Sequence, residues 1–450
     1  MVMEVVMSKN EMLVGVPRLG WLADGDTETP ATATLLQDDG KRISLTIPWQ
    51  GSGDSPYERW FCGNTVRWGD DPEGTRFSYK VPDVLWFEDG RGLVTLVGCR
   101  GLGMTGFMSV GEGRADVRFA VMGGRSGSDY RQINGLRSEM PGLGEWMSLR
   151  SLKHEVSSGP DGRVRSLDLH LESPPAVRLS RSLNLLIRPS FSYLVPGTPD
   201  TTTIKETLLI ETYTKDLRDW YDHFVAHNTV RDLVDIAAWS GFGYSNQWAN
   251  REDDPERFLS GDLIGPRWSE VRTYVARRQE PRSDRTRFLF TFADIGAAGV
   301  RRWAVLRAKF SRGINPILAS FEQRGVTLEG ELGEVGIGLD GIGYQLALDA
   351  GESANVANAE NHKCRLLRMA ADLTVLPPFD IEEWAQRSAD AYNGIKHANR
   401  DMPDPLTMVN TLRENRIVFR LWIAGRVRVP KSTLARNLEL DPMTEAYVGL

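Results

Sequence analysis

Arg387-Ser388-Ala389-Asp390-Ala391-Tyr392-Asn393-Gly394-Ile395-Lys396-His397-Ala398-Asn399-Arg400 gathers an amide, an imidazole and several cations into one amphipathic run. At about 100° per residue, Ile381, Trp384, Ala385, Ser388, Tyr392 and Ile395 share the apolar face of a helix. Asn393, His397 and Arg400 fall on its polar side, where spacings of three and four residues make side chains neighbours. Pro377 and Pro378 close off what precedes, Asp380 is placed to N-cap, and Glu383 follows three residues on as in a capping box. The helix is expected to end near Arg400. An exposed imidazole carries protons near neutral pH, and guanidinium or ammonium groups beside it hold phosphate, which is equipment for cutting RNA.

Helices are expected around this run, with the pattern wholly helical from about Arg301. Asp404 and Pro405 suit the N-cap and first residue of a following helix, with Gly425 as its stop. From Val326 to Leu348, the residues Leu328, Leu332, Val335, Leu339, Ile342 and Leu346 recur at alternating four-three spacing, a narrow packing seam. Gly333, Gly336, Gly338, Gly341 and Gly343 each cost roughly 0.5–1 kcal/mol in a helix interior. Such residues point to a close helix pair or a dimer contact. Residues 1 to about 215 read instead as β-rich, with strands near 42–48, 92–98, 164–171 and 203–212 between Gly, Pro and Asp turns. Leu217 to Ser240 reads as a helix, followed by strands near 270–277 and 287–292. The implied domains are 1–216, a connecting 217–300 and a helical 301–450. Trp21, Trp49, Trp60, Trp68 and Trp86 read as sheet core rather than a ligand-stacking surface.

A chain of 450 residues that is 41% apolar holds two or three packed domains. Its net charge of -6 conceals local excesses. Residues 387–436 carry ten Lys/Arg against four Asp/Glu, a local basic region that suits a polyanion. Residues 271–312 carry eleven against three and read as a solvated face. Cys62, Cys99 and Cys364 are too scattered for a disulfide framework or a CxxC zinc site. No cationic n-region precedes an apolar one, and no run of about 18 apolar residues occurs, so a cytoplasmic protein with no membrane partner is expected.

The helical third, with its Pro-bounded segment and the Asn-x-x-Lys-His of Asn393 to His397, resembles a HEPN domain. Together with the opening Val14–Leu22, the strand-like Gly90–Arg100 and the helical Trp220–Trp239, the chain is similar to ApeA-like anti-phage defence proteins. The resemblance implies an α+β architecture, a β-rich N-terminal region followed by an all-α HEPN bundle. It further implies a metal-independent ribonuclease acting on host RNA, particularly tRNA. In that chemistry the 2′-OH attacks the adjacent phosphorus, His397 is general base or acid, and Asn393 orients the phosphate or the imidazole. Asp390 would hold the histidine tautomer. The family pattern places an arginine just before the asparagine, where this chain has Tyr392, and Arg387, Lys396 and Arg400 are the candidates for the missing cation. One histidine is too few for separate acid and base roles. HEPN domains pair, so a homodimer or larger assembly with two His397 side chains is expected. The N-terminal region would restrain activity and recognise a phage-derived trigger. The alternative is a non-catalytic HEPN dimerisation or nucleotide-binding scaffold, which Tyr392 favours.

Other motifs are weaker. Gly101 to Gly106 matches GxGxxG but lacks a following helix, and Gly336 to Gly341 matches it inside a helical pattern. No P-loop occurs. His223 and His227, with Asp219, have the spacing to face a metal from one helix, but without an HExxH glutamate a structural or surface pair is expected, and neither metal nor cofactor is assigned. His154, His170 and His362 stand alone.

Overall fold

The computed structural model of the chain describes residues 9–25, 31–50, 55–63, 68–107, 110–124, 127–194, 202–258, 260–276, 286–323 and 325–449. The strands are β1 (Arg18–Ala23), β2 (Thr32–Asp38), β3 (Ile43–Gln50), β4 (Val84–Asp89), β5 (Gly92–Val97), β6 (Arg100–Phe107), β7 (Val110–Val117), β8 (Phe119–Met122) and β9 (Gln132–Glu139). They continue with β10 (Leu152–Ser158), β11 (Val164–Leu171), β12 (Val177–Ser180), β13 (Leu185–Leu194), β14 (Thr203–Asp219), β15 (Asn246–Asn250), β16 (Glu256–Arg257), β17 (Leu263–Gly265) and β18 (Ser269–Thr273). The helices are α1 (Pro56–Cys62), α2 (Leu143–Met147), α3 (Trp220–Ala238), α4 (Phe292–Lys309), α5 (Ser311–Ala319), α6 (Leu328–Asp349), α7 (Ala354–Ala359), α8 (His362–Ala371), α9 (Ile381–Lys396), α10 (Pro405–Val427) and α11 (Lys431–Glu439). The expected order holds: a β-rich N-terminal part, then helices.

Two compact units are interleaved along the chain, one comprising residues 1–139, 210–227 and 244–280 and the other 140–209, 228–243 and 281–450. The chain passes between them within β14 and within α3.

The first unit is a large antiparallel sheet in the order β14-β9-β15-β18-β8-β5-β4-β1-β2-β3-β7-β6. Alternation builds it: in β3 the side chains of Ile43, Leu45, Ile47 and Trp49 are buried while their neighbours face outward. Leu22, Leu36, Leu85, Phe87, Val94 and Leu96 join them in one core, closed by Tyr57 and Trp60 of α1. The core reading thus holds for Trp49 and Trp60. It fails for Trp21, which is 60% exposed on the outer face of β1.

The second unit is mainly helical and also carries the hairpins β10-β11 and β12-β13. Its centre is α10, where Ile417, Val418, Phe419, Leu421 and Ile423 are buried. The seam of α6 is buried at Leu332, Val335, Leu339, Ile342 and Leu346. Its glycines face partners within the chain: Gly341 lies against the Gly313 backbone of α5, and Gly343 against Arg365 of α8. At Gly336 a Cβ would stand 2.5 Å from the Tyr392 ring of α9, whereas at Gly333 the nearest atom is Ile395 at 3.6 Å. Gly336→Val is therefore expected to lower stability by about 1–3 kcal/mol through overpacking. Gly333→Ala should be neutral or stabilising by roughly 0.5–1 kcal/mol. Denaturant midpoints of the two variants, moving in the same direction by the same amount, would contradict this.

Several boundaries differ from expectation. No strand forms at 287–292; Leu289 and Phe290 are buried in a bend, and Thr291 with Asp294 forms a capping box that starts α4. The strand near 270–277 is shorter, as β18. Gly425 does not stop α10, which runs to Val427 and closes on Arg428 in the left-handed region at φ 69°.

Candidate functional site

The helix α9 begins where capping chemistry puts it, with the Asp380 carboxylate accepting from the Glu383 N–H. Trp384, Ala385, Ser388, Ala389, Ala391 and Gly394 are its buried face, and Trp384 Nε1 donates to Asn415 Oδ1 at 2.9 Å. The helix ends at Lys396, four residues before the expected Arg400. The cause is the returning chain over Gly394, where a Cβ would lie 2.8 Å from the Asp401 carbonyl. His397 is the C-cap, extended at φ −124° and ψ 110°, with its N–H closing the last turn on the Asn393 carbonyl at 2.9 Å. Arg400 N–H then donates to the His397 carbonyl at 2.9 Å, folding the next residues into a turn.

Asn393, Lys396, His397 and Arg400 are thus gathered by a helix end and a turn, not by a helical stripe. Lys396, His397 and Arg400 are exposed and Asn393 is half-buried. Among the described residues the His397 imidazole has no hydrogen-bond partner, and neither Lys396 nor Arg400 has an acidic partner. The free carbonyls of the last helical turn favour a cation here. Such an imidazole, open to solvent on a helix end whose neighbouring residues supply two cations and an amide, can exchange a proton next to a bound phosphate.

Arg387 and Asp390 lie elsewhere. Arg387, ten residues before His397 and so about 15 Å back along the axis, donates to Glu414 at 2.9 Å and to Glu383 at 3.4 Å. Asp390 accepts from Gln386 Nε2 at 2.9 Å and does not reach the imidazole within one chain.

Tyr392 shows what stands at the family's arginine position. Its ring packs over Gly336 and stacks on the His362 imidazole, with centroids 4.4 Å apart at 30°, and Lys396 Nζ lies 5.6 Å from its centroid. Burial first, then the Asp340 carboxylate, pushes the phenol upward. His362 has a partner that sequence reading missed: its Nδ1 is 3.0 Å from Asp340 Oδ1, and Arg365 pairs with the same carboxylate. Twenty-two residues and two different helices separate Asp340 from His362, so no local spacing announces the pair.

His223 and His227 form a buried structural pair in the first unit. Thr212 Oγ1 lies 2.8 Å from His223 Nδ1 and 3.1 Å from His227 Nε2, while His227 Nδ1 meets Ser138 Oγ at 2.9 Å. Asp219 is exposed and accepts from the Tyr221 N–H instead. No group of three His, Cys, Asp or Glu side chains arranged to hold a metal occurs among the described residues. Burial holds both imidazoles below the ordinary 6.5, and for His227 the neighbouring His223 adds to it. A depressed native pKa means that the unfolded chain binds the protons first. Stability supplied by this pair is therefore full above pH 6.5 and declines as pH falls below it. Urea midpoints should drop between about pH 7.5 and 5.5, with a shallower drop in His223→Gln/His227→Gln. An unchanged slope in that variant would refute the assignment.

No helix among the described residues is long and apolar enough to cross a membrane. No curated protein and no solved structure matches the chain. The family model for ApeA N-terminal domain 1 matches residues 18–303, from the first strand of the sheet into α4. Because that match spans well over half of the sequence, the chain belongs to the ApeA N-terminal domain 1 family and is an ApeA-like anti-phage defence protein.

Proposed function

We propose that the chain is an abortive-infection ribonuclease, in which the helical C-terminal part is a HEPN domain that cuts host RNA, with tRNA the first substrate to try. The observation that carries this reading is the exposed His397 at the end of α9, with Asn393, Lys396 and Arg400 beside it and no internal partner for the imidazole among the described residues. His397 takes the proton from the 2′-OH, and Lys396 and Arg400 stabilise charge on the phosphoryl oxygens. Asn393 fixes the phosphate. Arg387 is left out of the reacting group, because two carboxylates already hold it. A second His397 from a paired copy supplies the acid that protonates the leaving 5′ oxygen. The sheet-bearing N-terminal region restrains the enzyme and answers a phage component in the cytoplasm.

Purified chain incubated with total tRNA in EDTA should yield fragments ending in 2′,3′-cyclic phosphate and 5′-hydroxyl, with phage lysate added if restraint must be lifted. A scaffold without catalysis is the competing reading, supported by Tyr392, half-buried against Gly336 and His362, standing where the family carries arginine. RNA left intact with and without lysate would favour it.

A further inference from the structure

We propose that the groove formed by α4 and the C-terminal end of α10 binds the phosphate backbone of a nucleic acid. The groove encloses about 490 Å³ and is lined by Arg301, Arg302 and Lys309 of α4 and Arg426 of α10, against a single carboxylate among the described residues, Asp349. Val305 stands in it 69% exposed.

What separates this patch from an ordinary solvated helix face is how its charges are held. Lys309 pairs with Asp349 at 2.7 Å and Arg426 with Asp372 at 2.6 Å. Arg301 and Arg302 have no acidic partner among the described residues. Arg301 Nη1 donates to the Leu179 carbonyl at 3.1 Å, and Arg302 donates through Nε and Nη2 to the Val427 carbonyl at 3.2 and 2.8 Å. Backbone carbonyls fix these guanidiniums in place without cancelling their charge. Arg428, exposed at the left-handed end of α10, adds a third cation with no ion pair among the described residues. The three feel one another: burial, then Arg428 and Arg301, lowers the affinity of Arg302 for its proton. Like charges held together without counter-charge are costly unless a polyanion meets them.

A nucleic-acid backbone fits better than a point anion. Arg301 to Lys309 extends over eight residues, roughly 12 Å of helix, a line of cations that a repeating phosphate backbone can follow and a single small anion cannot. An anionic membrane is less suitable, because Val305 is the sole exposed large hydrophobic residue in the groove among the described residues. The proposal leans on the ribonuclease reading only in choosing RNA as the probe. It also reverses the expectation that residues 271–312 are merely solvated, for the part that lies on α4.

The test is fluorescence anisotropy of a labelled single-stranded RNA with full-length chain carrying His397→Ala, so that cleavage does not interfere. Arg301→Glu/Arg428→Glu in that background should weaken binding at least about tenfold. It should also reduce the slope of log affinity against log salt by about 1.4, since each phosphate left without its arginine removes roughly 0.7. Arg301→Lys/Arg428→Lys should keep the slope, and Lys153→Glu/Arg163→Glu in the exposed β10-β11 hairpin should change nothing. Circular dichroism melts confirm that each variant is folded. Equal binding by the double glutamate variant overturns the proposal, as does an equal loss in the hairpin variant. Absent RNA binding with groove-dependent capture of an acidic peptide or anionic vesicle also overturns it. Groove-dependent binding by a chain whose wild type cuts no RNA would uphold the groove and sink the ribonuclease reading, while normal cutting with unaltered binding in the double variant would do the reverse.

Discussion

His397→Ala is expected to lower RNA cleavage by about 10²–10⁴-fold, the usual worth of a positioned proton-transfer group, while leaving the melting temperature unchanged. Stability should be spared because the side chain is exposed and makes no hydrogen bond among the described residues; only its backbone N–H closes α9. Asn393→Ala and Lys396→Ala should reduce cleavage with folding intact. Arg387→Ala should behave differently. Its guanidinium shares Glu414, whose side chain is only 8% exposed, with Arg413 at 3.2 Å, so its loss should appear as a modest fall in stability rather than in chemistry. Adding His397→Ala chains to wild-type chains should depress activity by more than dilution if two imidazoles from paired copies share one site, because a mixed pair keeps only one of them. If His397→Ala cuts as fast as wild type, His397 has no part in the chemistry.

Much of this was legible in the sequence because local physics decided it. Asp380 and Asp404 start their helices where capping chemistry requires, and the four-three seam of α6 is buried as its spacing demands. The glycines of that seam also announced a close backbone partner, although only the structure shows it within the chain, at Gly313 and Arg365. The misreadings come from contacts between residues far apart. An amphipathic wheel carried α9 to Arg400, yet the chain beyond it folds back over Gly394 and makes His397 a cap. An apolar run at 287–292 looked like a strand because burial alone cannot tell a bend from a sheet; the Thr291 and Asp294 capping box decides it. Trp21 alternates like a core residue but sits on the other face of its strand. The Asp340 to His362 pair and the uncompensated arginines of α4 have no short-range signature. Both depend on which helices meet.

Arg420→Leu should destabilise the helical unit by roughly 3–5 kcal/mol, as the loss of one partner from a buried ion pair does. Arg420 lies in the middle of α10, the side chain 2% exposed, with Nη1 on Asp441 at 2.7 Å. Its remaining donors do a second job: Nε meets the Ile236 carbonyl at 3.0 Å and Nη2 the Ala237 carbonyl at 2.8 Å. Those are carbonyls of the last turn of α3, where Ile236 also accepts from the Trp239 N–H at 3.4 Å and Ala237 from the Leu289 N–H at 2.8 Å, and a cation there opposes the negative end of the helix dipole. Leucine would leave a carboxylate only 9% exposed without its charge partner, while the two carbonyls would keep the Trp239 and Leu289 N–H donors. The two contributions separate in a double-mutant cycle read by denaturant midpoints. If the ion pair dominates, Asp441→Leu added to Arg420→Leu recovers much of the loss, because removing both charges costs less than stranding one. If capping of α3 dominates, the double variant is as unstable as the single, and Asp441→Leu alone is mild. Because both carbonyls keep backbone donors, the first outcome is expected, and Arg420→Lys, which keeps the charge but not the planar fork, should then retain part of the stability.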